Sequence, residues 1–87
     1  MPISGFKRDD ENILHISRHN FSPLEVEEVF IGRHQVRRAR QGRYTALGET
    51  LDGRLAFVVF CRLPKGRIRV ITARDMEDKE RRQFRRK

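Results

Sequence analysis

The stretch Leu55 to Arg74, LAFVVFCRLPKGRIRVITAR, limits the possible folds more than any other part of the chain. Its first run, Leu55 to Cys61, is apolar at every position, so a strand built from it needs cover on both faces. A turn signal follows at Leu63-Pro64-Lys65-Gly66, and a β-rich run from Ile68 to Ala73 ends at Arg74. The pair reads as a hairpin with a central first strand. In the second run Ile68 and Val70 point one way and Arg67 and Arg69 the other, which puts cations on a face of the sheet.

The 87 residues form one domain, in which roughly 60% of the unfolded chain's surface is buried. Residues 1–7 and 85–87 are expected to be loosely ordered, with Met1 to Lys7 as a loose terminus or a short edge strand. Asp10 to His19 carries Ile13, Leu14 and Ile16 at helical spacing and ends at Asn20. Ser22-Pro23-Leu24-Glu25 is a capping box with proline at the first helical position, and Phe21 and Val26 are spaced as a hydrophobic staple. That helix buries Val26, Val29 and Phe30, turns Glu25, Glu27 and Glu28 to water, and stops at Gly32. Strands are expected over Gln35 to Arg40 and Tyr44 to Thr50, with turns at Gln41-Gly42 and at Asp52-Gly53, the latter a two-residue hairpin turn. Gly48 inside the second of these marks a bulge or a close backbone approach. After Arg74 the period is helical again: Asp75 can cap, Met76, Glu80 and Phe84 share a stripe, and Glu77/Arg81 and Asp78/Arg82 form i,i+4 pairs. The expected fold is α+β, with two N-terminal helices, a four-stranded antiparallel meander and a C-terminal helix.

The formal net charge is +8, and it is unevenly placed. From Arg33 to Arg74 the sequence holds eleven basic residues against two acids, while the remainder is close to neutral. An excess confined to the sheet region is the electrostatic footprint expected for a polyanion such as nucleic acid. Cys61 is the single cysteine and reads as a small buried hydrophobe, which fits a cytoplasmic location. Met1 to Phe6 lacks the apolar segment of a signal peptide, and the apolar runs fall far short of a membrane span. His15 and His19 are four apart, but without a cysteine pair or a metalloprotease pattern no metal or cofactor is expected.

RNA cleavage needs little equipment, because the 2′-hydroxyl is an internal nucleophile. The protein has to move two protons and stabilise charge on phosphorus. A basic sheet with Arg69 and Arg74, together with His19 and with Glu80 or Tyr44, suffices in kind, since arginine pairs two phosphate oxygens at once. Arg37, Arg38, Tyr44, Arg67, Arg81 and Arg85 are the candidates for RNA contact. Each choice has a purely structural alternative. Arg74 can pair with Asp75, Asp78 or Glu80, Tyr44 can be a packed strand residue, and Glu80 an exposed helix residue.

Arg18-His19 ahead of the Ser22 to Val26 helix start, Tyr44-x-Ala46-Leu47-Gly48, Gly53-Arg54-x-x-Phe57-Val58-Val59-Phe60, Ile68 to Arg74 and Glu80-Arg81-Arg82-x-Phe84 occur in a fixed order. In that order and spacing they resemble the BrnT-type toxins of type II toxin–antitoxin pairs, over nearly the whole chain after residue 10. The resemblance implies a RelE-like fold and a metal-independent ribonuclease that inhibits translation. It implies a BrnA-type ribbon-helix-helix antitoxin as partner, with operator DNA bound through that antitoxin. It matches His19, Arg69, Arg74 and Glu80 to the family's site residues. The chain departs from the pattern at Phe84, where tyrosine is usual. The contrasting expectations are a non-catalytic nucleic-acid-binding module and a pure interaction subunit that docks an acidic partner.

Overall fold

A computed structural model describes residues 5–7 and 21–85. Strand β1 is Gly5–Lys7, helix α1 is Pro23–Ile31, and strands β2 to β5 are His34–Arg38, Arg43–Glu49, Leu55–Arg62 and Arg67–Asp75. A 3-10 turn, Pro64–Gly66, joins β4 to β5, and helix α2 is Asp78–Arg85. The helix expected over Asp10 to His19 lies outside the described residues, as do residues 86 and 87. Among the described residues a single helix precedes the antiparallel strands.

The capping box forms as read. Ser22 Oγ accepts the Glu25 N–H at 3.2 Å and Glu25 Oε1 accepts the Ser22 N–H at 3.0 Å. Phe21 and Val26 are both buried, as a staple requires. The helix ends at Gly32, whose N–H bonds the Glu28 carbonyl, with an extended backbone at the cap. Two of the glutamates expected to face water are half-buried and engaged. Glu28 accepts the Leu51 N–H at 3.1 Å, and Glu25 lies 3.8 Å from Arg54.

The sheet has five strands in the order β1-β5-β4-β3-β2, the four antiparallel strands expected and one more. The antiparallel meander of β2 to β5 is as expected, and β4 lies at its centre. β1 adds a parallel edge, Gly5 to Lys7 against Arg67 to Arg69. No hairpin turn announces such a pairing, because Gly5 to Lys7 meet Arg67 to Arg69 from the opposite end of the sequence. At Arg40–Arg43, Gln41 and Gly42 both take positive φ (59° and 73°), which is the turn geometry that suits strand twist. The Asp52-Gly53 connection is a three-residue loop rather than a two-residue turn. Gly53 N–H bonds the Thr50 carbonyl, Thr50 N–H bonds the Arg54 carbonyl, and Gly53 sits at φ 87°. Gly48 marks a close approach: a Cβ there would lie 2.5 Å from Val29 Cγ1 and 3.2 Å from the Val29 carbonyl oxygen. Helix α1 can therefore sit directly on β3.

Each face of the sheet carries its own core. Phe21, Val26, Val29 and Phe30 pack on Ala46, Ala56, Val58, Phe60, Ile68, Val70 and Ala73 on the α1 face. A smaller cluster of Leu47, Met76 and Phe84, with Leu55 and Phe57 against it, lies on the α2 face. The apolar alternation of β4 divides between the two, which explains why its sequence is apolar throughout. At roughly 1.5–3 kcal/mol for each large side chain fully buried, the α1 face contributes most of the hydrophobic stabilisation. The α2 face is the lightly covered one.

Candidate functional site

Strand register assigns every residue of the meander to a face, because directly paired residues share one. On the α2 face the strands align in three rows. Gln35, Leu47, Phe57 and Arg74 form the first, Arg37, Thr45, Val59 and Thr72 the second, and Arg43, Cys61 and Arg69 the third. Arg69 and Arg74 are five residues apart, and in a regular strand that odd interval would put them on opposite faces. The register shifts between Val59 and Phe60, so that Phe60 pairs with Val70 and Val59 with Thr72, and Ile71 is the extra residue of a β-bulge. The bulge keeps Ile68, Val70 and Ala73 all in the α1-face core and brings Arg67, Arg69 and Arg74 to the same open face.

The same register separates two of the candidates from this group. Arg38 pairs with Tyr44 and Tyr44 with Phe60, which places both on the α1 face. Tyr44 stacks on Phe60 with ring centroids 5.7 Å apart, and Arg62 lies over its ring at 4.6 Å. Tyr44 is thus a packed strand residue, the alternative weighed for it from sequence.

At one end of the open face, α2 closes over the first row. Arg74 donates from both terminal nitrogens to Glu80, at 2.8 and 2.9 Å, and also to the Asp75 carbonyl at 3.0 Å. Its guanidinium lies 4.1 Å above the Phe57 ring. Glu80 Oε1 also accepts the Glu77 N–H at 2.9 Å, so one carboxylate both satisfies the start of α2 and fixes Arg74. Burial works to raise the Glu80 pKa, but the hydrogen bonds from Arg74 and the Glu77 N–H and the arginine's charge outweigh it. The net direction is below the ordinary 4.5. The Arg74 pKa is raised, by its hydrogen bond to Glu80 before all else. Glu80 is therefore a fixed anion at neutral pH and an acceptor only.

The remaining contacts of α2 differ from the expected pairs. Arg81 bonds Asp78 at 2.7 Å in an i,i+3 pair rather than reaching Glu77. Asp75 does not cap the helix. It ends β5 and takes a two-point hydrogen bond from Arg54 at 2.8 and 3.2 Å. Arg33 donates to the Phe84 carbonyl oxygen and stacks 4.3 Å over the Phe84 ring. Gln35 Nε2 donates to the same oxygen at 3.3 Å. With its amide oxygen turned toward Arg37, Gln83 accepts from that guanidinium at 3.0 and 2.6 Å. Between α2 and the strands, Gln35, Arg37 and Gln83, with Thr45, Leu47, Phe57 and Glu80, border an open cavity of about 180 Å³.

Of the residues singled out from sequence, Arg74 and Glu80 are in direct contact, and Arg67, Arg69 and Arg37 share their face. Arg81 is turned to Asp78, Arg85 is exposed in the last turn of α2, and Arg38 and Tyr44 belong to the other face. His19 lies outside the described residues. Sequence reasoning missed Gln35, Arg43, Thr45 and Gln83. The alternation of β2 and β3 carried a signal for the first three, which follow the same period as Leu47 and Arg37. Among the described residues no three His, Cys, Asp or Glu side chains converge as a metal site would require, and no helix is long and apolar enough to cross a membrane. Cys61 is half-buried on the open face, its sulfur 3.8 Å from the Arg69 carbonyl oxygen.

A family model described as "Ribonuclease toxin, BrnT, of type II toxin-antitoxin system" matches residues 7–80. No curated protein matches the chain. Among solved structures, the Brucella abortus ribonuclease toxin BrnT is similar, with a TM-score of 0.65 and 20% identity. The alignment covers 90% of this chain and 99% of that one. At that identity the likeness concerns the fold.

Proposed function

This chain belongs to the BrnT family of ribonuclease toxins from type II toxin–antitoxin systems, and on that premise we propose that it cleaves RNA laid across the open face of its sheet. The observation that carries the reading is the Ile71 bulge, which gathers Arg67, Arg69 and Arg74 beside Arg37 and Arg43 on the one face that the core leaves lightly covered. Phosphates lie along the Arg43–Arg69 row, with Arg37, Arg67 and Arg85 around it. The RNA 2′-oxygen attacks phosphorus, the bond to the 5′-oxygen breaks, and a 2′,3′-cyclic phosphate and a 5′-hydroxyl result. One proton leaves the 2′-hydroxyl and one reaches the 5′-oxygen, with His19 as the acid–base group. Arg69 and Arg74 stabilise the charge that develops on the phosphorane. Glu80 positions Arg74, since an anion with a lowered pKa is a weak base.

In the cell this activity inhibits translation in the cytoplasm and is neutralised by a BrnA-type ribbon-helix-helix antitoxin, through which the pair engages operator DNA. One observation favours a second reading, a non-catalytic nucleic-acid-binding module. Both terminal nitrogens of Arg74 are already committed to Glu80. The two readings part in one assay, incubation of the purified chain with RNA in excess chelator. The proposal expects cleavage to cyclic-phosphate ends, lost in Arg69→Ala. Salt-sensitive binding without any cleavage supports the module instead.

A further inference from the structure

The cavity between α2 and strands β2 to β4 lies beside the Arg74–Glu80 pair and is lined by both polar and apolar groups. Its 180 Å³ is on the scale of the roughly 150 Å³ cavity that accommodates a benzene ring, which suits one heterocyclic base rather than a whole nucleotide. Leu47 and Phe57 supply apolar walls. Glu80 Oε1 has both lone-pair directions taken, by Arg74 and the Glu77 N–H, but Oε2 accepts only from Arg74 and keeps one acceptor site. Gln35 gives one of its two amide N–H groups to the Phe84 carbonyl, and its oxygen is a second acceptor. Arg37 brings N–H donors to the same rim.

Two acceptors and a donor around one cavity match in number and kind the groups that cytosine presents to its partner. Building on the reading of this face as an RNA-cleaving surface, we infer that the cavity receives a guanine base from the RNA strand. Guanine's Watson–Crick edge offers two donors, N1–H and the 2-amino group, next to the O6 acceptor. Adenine and uracil each offer a single donor there, and cytosine offers two acceptors. Single-stranded RNA bases are commonly read on this edge when splayed out of a stack. The cavity row and the Arg43–Arg69 row are four residues apart along the strands, about 13 Å at the usual rise. A base held by Gln35 and Glu80 therefore leaves its strand running over Thr45 and Val59 toward the arginines.

Titration of the isotope-labelled chain with 5′-GMP, AMP, CMP and UMP, followed by nuclear magnetic resonance, tests this directly. GMP should shift the side-chain amides of Gln35 and Gln83 and bind at least roughly tenfold more tightly than the other three, a difference on the scale of one or two hydrogen bonds. Gln35→Leu should erase most of that preference, and Thr45→Leu, which fills the cavity, should abolish base binding without altering the Arg43–Arg69 row. Equal binding of all four nucleotides, or shifts confined to Arg43 and Arg69, overturns the guanine site and leaves RNA cleavage standing. Guanine-selective binding by a chain that cleaves no RNA supports the site and overturns the ribonuclease reading instead.

Discussion

Glu80→Gln isolates the contact that fixes α2 to the open face. In the wild type, Glu80 takes two hydrogen bonds from Arg74 and one from the Glu77 N–H. Glutamine has one acceptor oxygen, so its amide nitrogen must confront either a guanidinium N–H or a backbone N–H, and Arg74 loses its countercharge. Hydrogen bonds to charged groups contribute about 1.5–3 kcal/mol, and breaking a fully buried ion pair costs about 3–5 kcal/mol. The two side chains keep 31% and 18% of their exposure, so solvent screens the pair and a loss of about 2 kcal/mol is expected. For a domain of this size that corresponds to a fall in Tm of roughly 8–16 °C. The pH dependence gives the sharper test. Glu80's folded pKa lies below its ordinary value of 4.5, so its contribution is fully present above that value and is lost as pH falls through the folded pKa. Thermal unfolding by circular dichroism should show a wide gap between wild type and variant at pH 7 that narrows below pH 4.5. A gap of equal width at pH 3 and pH 7, or none at pH 7, would refute the reasoning.

Other changes probe the scaffold around that contact. Asp78→Asn removes the fully exposed partner of Arg81 and should move Tm very little, in contrast to Glu80→Gln. Gly48→Ala puts a methyl group against Val29 Cγ1 and the Val29 backbone and should destabilise by about 1–3 kcal/mol in a urea titration. An unchanged midpoint would mean that α1 does not rest on β3. Ser22→Ala removes the acceptor of the Glu25 N–H and should cost about 1 kcal/mol by the same measurement.

The parts of the fold legible in the sequence were those encoded by neighbouring residues. The Ser22 to Glu25 cap, the Val26, Val29 and Phe30 stripe and the doubly apolar β4 all express local periodicity, and Gly48 is conspicuous because a glycine interrupts a strand. The features that escaped depend on partners remote in sequence. The β1–β5 pairing joins segments that no single turn connects. The Ile71 bulge leaves no mark, because Ile71, Thr72 and Ala73 are ordinary strand residues whose faces are decided by where β4 places Phe60 and Val70. That one inserted residue determined which arginines share a surface, so a strict period of two could not have grouped Arg69 with Arg74. Arg38 and Tyr44 are a different case: Arg38 follows Arg37 directly and pairs with Tyr44, so alternation alone sets both on the face opposite Arg37. Asp75 looked like a helix cap, but Arg54, the residue just before β4, holds its carboxylate. Glu80 was recognised as important, but its role as a fixed anion rests on Arg74 and the Glu77 N–H together, which only the folded chain brings to it.

The central claim is that the face selected by the Ile71 bulge is the RNA face, and paired substitutions on the two faces test it most directly. Arg69→Ala and Arg37→Ala alter the open face, whereas Arg38→Ala and Tyr44→Phe alter the α1 face. All four variants should first be shown to unfold cooperatively. RNA cleavage in chelator should fall at least roughly a hundredfold in Arg69→Ala, the scale of losing one positioned charge donor, and RNA affinity should weaken in Arg37→Ala. Arg38→Ala and Tyr44→Phe should cleave as the wild type does. Cleavage lost through the α1-face variants and kept in Arg69→Ala would contradict the account.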